Sequence, residues 1–347
     1  MSATEEAEAL KMLFRNQNAF LIPKVKIMFT ASDLGVFDPL MESKEPLTSV
    51  SIAERLGTSP FGMERLLDAC VGYKFLQVER KDNQTLYGNT NIANLYLGKR
   101  SPKTQYYSLK LNAEFVYMRA QHLADSVREG EAQTYRLSDS STKKFYEAMY
   151  RSESSLREFM EYMHEMWSLC GRDVLNAFDL SNFPLVCDLG GCSGALAKEY
   201  ISLYPNSTVT ILDLPEVVET GKKHFVSSEE HRITFHKGDF FKDPIPEADL
   251  YILARILHSF TDENCVQLLT RLNKACKPGG GVLVVEIVLN EDRTGPVEAH
   301  IYGLVMLLCT QGKERTLSEY NGLLSAAGFK EIQQKKTGLF DAILGRK

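Results

Sequence analysis

The residues best suited to chemistry lie in the second half of the chain, at the ends of short apolar runs. Asp188 is followed by a glycine-rich turn, and residues 188–194 read DLGGCSG. Asp213 ends the next run, and Asp239 follows the third. Glycines let a ligand approach the backbone closely, and an acid at the position of Asp213 can accept hydrogen bonds from ribose hydroxyls. These residues together predict a site for a ligand that contains adenosine.

The turn departs from the dinucleotide fingerprint G-x-G-x-x-G, because Cys192 stands at the second required glycine counted from Gly190. The turn therefore favours S-adenosylmethionine (SAM) over a nicotinamide dinucleotide, since SAM carries a cationic amino group and no pyrophosphate. Asp239 can meet an adenine amino group and Phe240 can cover the ring, just after Gly238. The alternative, that these acids are only caps and loop residues, stays open from the spacing alone.

His258 follows a fourth apolar run and is a candidate general base. A phenolic hydroxyl has a pKa of about 10, so a base is needed when it attacks a methyl group at neutral pH. Histidine titrates near pH ~6.5 and suits this role. A purely structural histidine is the alternative.

These residues must be positioned by strands that alternate with helices. Apolar runs at 185–189, 208–213, 233–236, 250–253 and 281–286 alternate with amphipathic stretches, two of them around 195–203 and 217–224. This alternation predicts an α/β fold, a doubly wound Rossmann-like domain with a parallel sheet. Ligands bind beyond the carboxyl ends of the strands in such sheets, where all the residues above are expected.

The first half reads as a mostly helical, winged-helix-like domain. One helix is predicted from Ile52 with Ser51 as its N-cap, and a second passes through Met63. Residues 75–80 and 85–87 predict a hairpin. A winged helix can bind DNA, but a scaffold or dimerisation domain is favoured. A further helix with an apolar stripe from Leu156 to Cys170 contains Trp167, the single tryptophan.

Composition excludes several classes of function. The 347 residues carry 40 basic and 45 acidic side chains, a net charge of -5, so no nucleic-acid partner is expected. The longest nearly uncharged apolar stretch, 301–309, is far shorter than the ~20 residues of a membrane span. An acidic start (Glu5, Glu6, Glu8) argues against a targeting peptide, so a cytoplasmic location is expected. The seven cysteines form no C-x-x-C pair, which predicts buried reduced thiols and no metal.

Several longer motifs resemble one enzyme family over nearly the whole chain. They are ERLLD at 64–68, YRSE at 150–153, DLS at 179–181, GDFFKD at 238–243, EADLYIL at 247–253, KPGGG at 277–281 and KERT at 313–316. They resemble the SAM-dependent small-molecule O-methyltransferases, and among these the hydroxyindole O-methyltransferases. The resemblance implies a dimerisation domain (1–110) that interlocks two subunits into a homodimer, a helical connector (111–180) and a SAM-binding methyltransferase domain (181–347).

The resemblance also implies roles for individual residues. It implies His258 as proton acceptor with Glu286 and Glu314 as flanking acids, and a small aromatic hydroxyl compound as substrate. Together with the glycine turn, it implies a SAM site made of Tyr150, Trp167, Asp188, Gly190, Asp213, Gly238, Asp239, Phe240 and Arg255.

The substrate half departs from the family pattern. The family reads Leu-His-Asp-Trp where this chain has Ser259 after His258, and its indole-binding asparagine and glutamine fall at Val305 and Cys309. A nearby family glutamate falls at Gln311. A hydrogen-bonding site discriminates by ~10⁴ to 10⁵ against compounds that lack the matching groups. N-acetylserotonin, a more apolar acceptor, and a catalytically silent SAM-binding protein therefore all stay open.

Overall fold

The computed structural model describes residues 23–43, 45–133, 149–150 and 152–347. The acidic start around Glu5 lies outside the described residues. The chain divides into two compact units, Met1–Tyr117 and Met118–Lys347. In the described part of the chain, no helix combines the length and the apolar character that crossing a membrane requires.

The first unit is helical with a small antiparallel sheet in the order β1-β3-β2. Its elements are α1 (Lys24–Asp33), α2 (Phe37–Glu42), β1 (Leu47–Thr48), α3 (Ser49–Leu56), α4 (Pro60–Gly72), β2 (Leu76–Lys81), β3 (Gln84–Asn89), a π-helical turn (Ala93–Leu97), α5 (Tyr106–Lys110) and a second π-helical turn (Leu111–Val116). The predicted hairpin is confirmed, and its two turn residues, Asp82 and Asn83, have φ of 48° and 64°. Paired positive φ values match the strand twist in a two-residue hairpin.

One predicted helix start is wrong. Ser51 lies inside α3, and the N-cap is Thr48, whose side chain accepts a hydrogen bond from the backbone N–H of Ser51 at 3.1 Å. The hydroxyl of an N-cap satisfies one of the first backbone donors of a helix. Both residues are good caps, so only the structure distinguishes them.

The second unit contains the predicted alternation of strands and helices. It comprises α6 (Tyr117–Ala120, which begins at the last residue of the first unit), α7 (Leu123–Glu129), α8 (Glu153–Leu175), β4 (Leu185–Leu189), α9 (Ala195–Leu203), β5 (Thr208–Asp213), α10 (Pro215–His224), β6 (Ile233–Lys237), β7 (Ala248–Ala254), a 3-10 turn (Leu257–Ser259), α11 (Asp262–Ala275), β8 (Cys276–Glu286), α12 (Val297–Cys309), α13 (Leu317–Ala326), β9 (Lys330–Lys336) and β10 (Asp341–Arg346).

The described strands of this unit form one seven-stranded sheet in the order β6-β5-β4-β7-β8-β10-β9. The first five are parallel, while β10 runs antiparallel to both β8 and β9. The predicted α/β fold is confirmed, but the sheet is mixed because β10 runs opposite to the other strands, and the sequence predicts neither β9 nor β10. Hydrophobic patterning does not predict β9, because Ile332 is its one apolar residue.

Two apolar clusters cover the two faces of this sheet. Val186 of β4 belongs to a cluster that includes residues of α8 and α9, such as Trp167 and Tyr200. Its neighbour Cys187 belongs to a second cluster with residues of α11 and α13. Successive side chains of a strand point to opposite faces, so both faces are buried. The carboxyl ends of the strands are then the edge left for a ligand.

Candidate active site

Four buried charged or titratable side chains meet where β7 and β8 end. His258 lies in the 3-10 turn after β7, and Glu286 is the last residue of β8. Nδ1 of His258 lies 3.1 Å from Oε1 of Glu314, and its backbone N–H donates to Oε1 of Glu286 at 3.2 Å. Nη1 of Arg255 donates to Oε1 of Glu314 at 3.0 Å and to Oε2 of Glu286 at 3.3 Å. The two acids therefore hold both the imidazole and the guanidinium.

The charges of this cluster favour an ionised Glu314. Burial works to raise the pKa of Glu314, but the hydrogen bond to His258 and the charge of Arg255 outweigh it, and the pKa is lowered. Burial raises the pKa of Glu286 against the opposing effect of His258 and Arg255. An ionised carboxylate accepts hydrogen bonds only, so Nδ1 of His258 carries the proton and its Nε2 is left as an acceptor.

The guanidinium of Arg255 is further held by two aromatic rings. Its Cζ lies 4.8 Å from the ring centroid of Tyr302 and 5.5 Å from that of Phe340. Despite burial, the negative charges of Glu314 and Glu286 raise the pKa of Arg255. Arg255 itself has φ of 60°, a left-handed conformation that costs a non-glycine residue about 1–2 kcal/mol. The cation is thus fixed beside the two acids.

The same cluster has the ligand types of a metal site. His258, Glu286 and Glu314 form the one such group found among the described residues, with their ligand atoms within 4.8 Å of one another. Arg255 already donates to both carboxylates. A metal ion would have to displace this guanidinium, so the geometry favours proton transfer over metal binding.

The glycine turn after β4 is tight, as the sequence predicts. Gly190 has φ of 63°, and a Cβ there would lie 2.6 Å from Cδ1 of Ile256. A Cβ on Gly191 would lie 2.6 Å from Oδ2 of Asp188. Cys192 also adopts a positive φ, 53°, although it is not glycine. The turn therefore requires glycine at 190 and 191, because a side chain at either position would clash with Ile256 or Asp188.

Two polar atoms in this turn are buried without a hydrogen-bond partner. They are Oδ2 of Asp188 and Oγ of Ser193, and each residue is 1% exposed. Burial, with a contribution from the charge of Asp213, raises the pKa of Asp188 to about 8. Buried polar atoms are rarely left unpaired in folded proteins. An unpaired carboxyl oxygen here fits a ligand that brings a hydrogen-bond donor or a positive charge.

Asp213, at the end of β5, supports the same turn. Its Oδ2 accepts from the backbone N–H of Cys192 at 3.0 Å and its Oδ1 from that of Leu214 at 2.8 Å. Burial raises its pKa to about 6, against the effect of these two bonds. Each carboxylate oxygen has a second lone pair, so Asp213 can still accept from a ligand.

The third predicted segment is connected to the His258 turn through aromatic rings. Asp239 accepts from the backbone N–H of Phe241 at 2.9 Å and from Nζ of Lys242 at 2.8 Å. The ring of Phe240 lies 5.1 Å from that of Phe241 and 6.2 Å, edge-on, from that of Phe260. Phe260 directly follows the turn that carries His258, so the segment and the turn pack together.

Three further residues predicted for the cofactor site have different surroundings. The backbone N–H of Gly238 donates to the carbonyl of Asp213 at 2.9 Å, which joins the second and third segments. Trp167 is 4% exposed, and its ring lies 5.2 Å from that of Phe340, which also contacts Arg255. Tyr150 is half-buried.

The positions predicted for the acceptor lie on two elements. Ser259 is buried in the same turn as His258. Val305 and Cys309 lie four residues apart on α12 and share a helix face with Tyr302, which contacts Arg255. Burial raises the pKa of Cys309 to about 12, so this thiol is neutral at physiological pH. The face of α12 that carries Val305 and Cys309 therefore also carries Tyr302, which contacts Arg255 of the charged cluster.

Gln311 is exposed, so it does not supply a buried partner for the imidazole. The silent-protein hypothesis depended on a histidine without a carboxylate. That condition is not met, because Glu314 lies against Nδ1 of His258.

Sequence reasoning missed three residues of this region. Tyr302 and Phe340 sit against Arg255, and neither carries a signal in the sequence beyond being aromatic. Arg315 lies in the KERT motif, which by itself indicates no role for it. It is fully buried and donates to the carbonyls of Leu257 and Phe260, on either side of His258.

Comparison with known proteins independently identifies the same enzyme family as the sequence motifs. Residues 120–330 match the model of an O-methyltransferase domain, and residues 15–99 match that of an O-methyltransferase dimerisation domain. Acetylserotonin O-methyltransferase of Gallus gallus is 55% identical over 348 residues, covering 100% of both chains. The same enzyme of Homo sapiens is 48% identical over 99% of each chain.

A solved structure is similarly close. The crystal structure of human N-acetylserotonin methyltransferase in complex with SAM superposes with a TM-score of 0.94 at 47% identity, covering 100% of this chain and 99% of that one. The resemblance found in the sequence motifs is thereby confirmed: the chain belongs to the O-methyltransferase family, with that family's dimerisation and methyltransferase domains.

Proposed function

We propose that this chain is a SAM-dependent O-methyltransferase that acts on the hydroxyl group of a small aromatic compound. The observation that carries the proposal is the buried pair of His258 and Glu314, joined at 3.1 Å, at the strand edge that also carries the glycine turn. A buried imidazole on an ionised carboxylate is suited to remove the proton of a hydroxyl. The human relative was crystallised in complex with SAM, which supports SAM as the cofactor of this chain.

The glycine turn fits SAM by its chemistry. The unpaired Oδ2 of Asp188 and Oγ of Ser193 offer acceptors for a ligand with an ammonium group. Gly190 adopts the positive φ that this turn requires, and Asp213 retains lone pairs for ribose hydroxyls. The residues proposed to hold the cofactor are Tyr150, Trp167, Asp188, Gly190, Asp213, Gly238, Asp239, Phe240 and Arg255.

In the proposed mechanism, the residues of this chain move one proton. SAM, when bound, supplies an electrophilic methyl group on a sulfonium sulfur. Nε2 of His258 accepts the proton of the acceptor hydroxyl as the oxygen becomes nucleophilic. Glu314 keeps the other ring proton on Nδ1 and stabilises the imidazolium that forms, while Glu286 holds the backbone of the turn. Arg255 donates to both acids and offsets part of their negative charge beside the imidazole.

Two acceptors are proposed, each on its own observation. N-acetylserotonin, which would give melatonin, is supported by the names of the full-length relatives. A more apolar phenol is supported by Val305 and Cys309, which present no hydrogen-bonding amide on the face of α12 that contains Tyr302. A pocket without polar side chains cannot select its substrate by hydrogen bonds. The second acceptor would therefore be held by apolar contacts.

The test uses the full-length protein with methyl-labelled SAM and a panel of hydroxyindoles and phenols. Mass spectrometry of the products would show one labelled methyl group on N-acetylserotonin or on an apolar member of the panel. Binding of SAM in calorimetry without any methylated product would instead support the silent alternative. Absence of both binding and product would refute the proposal.

We also propose that the chain forms a homodimer and is located in the cytoplasm. The match to a dimerisation domain supports a homodimer, which sedimentation velocity would test. The cytoplasmic location stays a prediction from the sequence.

A further inference from the structure

Arg315 is a fully buried arginine that donates hydrogen bonds to both ends of the turn that carries His258. Its Nη1 donates to the carbonyl oxygen of Leu257 at 3.0 Å, and its Nη2 donates to that of Phe260 at 2.8 Å. Its Nε donates to Oδ1 of Asp262 at 2.8 Å. The two carbonyls flank His258, so the guanidinium joins both ends of a four-residue segment.

The loop before α13 contacts the same segment at two further points. A Cβ on Gly312 would overlap the carbonyl oxygen of His258, so the two backbones are in close contact and only glycine fits. Glu314 holds the imidazole at Nδ1. One short stretch of chain therefore constrains the backbone of the turn and its side chain at the same time.

We infer that Arg315 is a positioning residue for the methyl-transfer reaction: its fork fixes residues 257–260 so that His258 keeps Nδ1 on Glu314 and directs Nε2 to the acceptor. This inference rests on the proposed function for its kinetic consequence. Arg315 acts through the backbone here, because its hydrogen bonds to the turn are made to carbonyl oxygens and those to the imidazole are made by Glu314.

The geometry explains why this position needs arginine. Arginine presents five donors in a rigid planar fork, whereas lysine has a single ammonium on a flexible stem. Only a fork can reach the carbonyls of Leu257 and Phe260 together with the carboxylate of Asp262. Loss of one arm would free one end of the turn, and a misplacement of about 1 Å at a reacting group can cost about 10²-fold in rate.

The test compares Arg315→Lys with wild type. Turnover should fall about 10²-fold, while KM for the acceptor and the dissociation constant of SAM should stay within about twofold. In ¹⁵N-histidine NMR spectra, the signals of His258, identified by their loss in His258→Ala, should change from one ring tautomer to a mixture.

The matched control is Arg232→Lys. Arg232 also donates to a backbone carbonyl, that of Ile201 at 3.1 Å, and to Glu230. It lies just before β6, at the amino end of that strand, whereas His258 lies beyond the carboxyl end of β7. This variant loses a similar fork, and its turnover and His258 signals should match wild type. A comparable fall in both variants would indicate a general loss of stability and would overturn the inference.

Arg315→Lys leaves buried backbone carbonyls of the turn without a donor, and an unsatisfied buried polar group is destabilising, so a variant that fails to fold needs a second test. Asp262→Asn then decides the question, since Asp262 is 52% exposed in its side chain and its loss weakens one arm of the fork. Turnover should fall by less than the about 10²-fold expected for Arg315→Lys, with the same change in the His258 signals, and unchanged signals would overturn the inference. If wild type methylates nothing, the proposed function fails while the NMR comparison still tests the position of the ring.

Discussion

Replacing Glu314 by glutamine tests the proposed acid–base pair most sharply among the single substitutions. Glutamine has the size of glutamate, and its amide oxygen can still accept from Nη1 of Arg255. What it removes is the negative charge 3.1 Å from Nδ1 of His258. The change therefore isolates the electrostatic support of the imidazolium from the packing of the site.

The expected magnitude follows from this distance. Two unit charges at 3.1 Å with an effective dielectric of ~20 interact by about 5 kcal/mol. With the proton about half transferred in the transition state, about 2.7 kcal/mol is lost, which at 1.36 kcal/mol per tenfold is a fall in turnover of about 10²-fold. This lies at the lower end of the range for general-base catalysis.

The assay is the initial rate at saturating SAM, with SAM affinity measured separately by calorimetry. Affinity for SAM should be unchanged, because no residue of the glycine turn is altered. The control is Glu319→Gln, which removes a charge from the capping box of α13 and should leave turnover as in wild type. Turnover of Glu314→Gln within about twofold of wild type would refute the role given to the pair.

The remaining predictions concern the base, the acceptor face and the glycine turn. His258→Ala should lower turnover by about 10² or more with SAM affinity nearly unchanged, as rates and calorimetry would show; an unaltered rate would remove His258 from the mechanism. The triple variant Ser259→Asp, Val305→Asn, Cys309→Gln should raise activity on N-acetylserotonin, and no gain would mean that the pocket differs more widely. Because burial raises the pKa of Asp188 to about 8, above its unfolded value of ~3.9, the folded cofactor-free protein holds a proton there that the unfolded chain releases. Its stability should therefore fall as pH rises from 6 to 7, with Asp188 contributing about 1.4 kcal/mol per unit. Denaturant titrations of Asp188→Asn should lack that contribution, and an unchanged slope would contradict it.

Local signals in the sequence were sufficient for the elements that carry the site. Buried parallel strands appear in the sequence as apolar runs, such as residues 208–213. Glycines and acids at the carboxyl ends of these runs indicate the edge of the sheet where a ligand binds. His258 could be placed there because it follows such a run. The strands β9 and β10 could not be predicted, since β9 is polar and β10 follows no helix.

The contacts between distant segments were beyond sequence reasoning. Glu314 and Arg315 come from a loop more than 50 residues after His258, and nothing in their spacing says that they meet it. Their roles depend on how the loop folds back over the turn, where Gly312 permits contact between two backbones. The resemblance to a family pointed to Glu314 but gave Arg315 no role, because a buried arginine looks the same in a sequence as an exposed one.

The proposed site transfers a methyl group from SAM to an oxygen atom with His258 as the base. The most direct measurement is ¹³C NMR of a reaction of the purified protein with SAM labelled at its methyl carbon and the best acceptor of the panel. With His258 as the base, a labelled signal is expected in the aryl methyl ether region together with S-adenosylhomocysteine, and in His258→Ala it should form much more slowly. A labelled methyl group bonded to nitrogen or carbon, or no transfer with SAM bound, would contradict it.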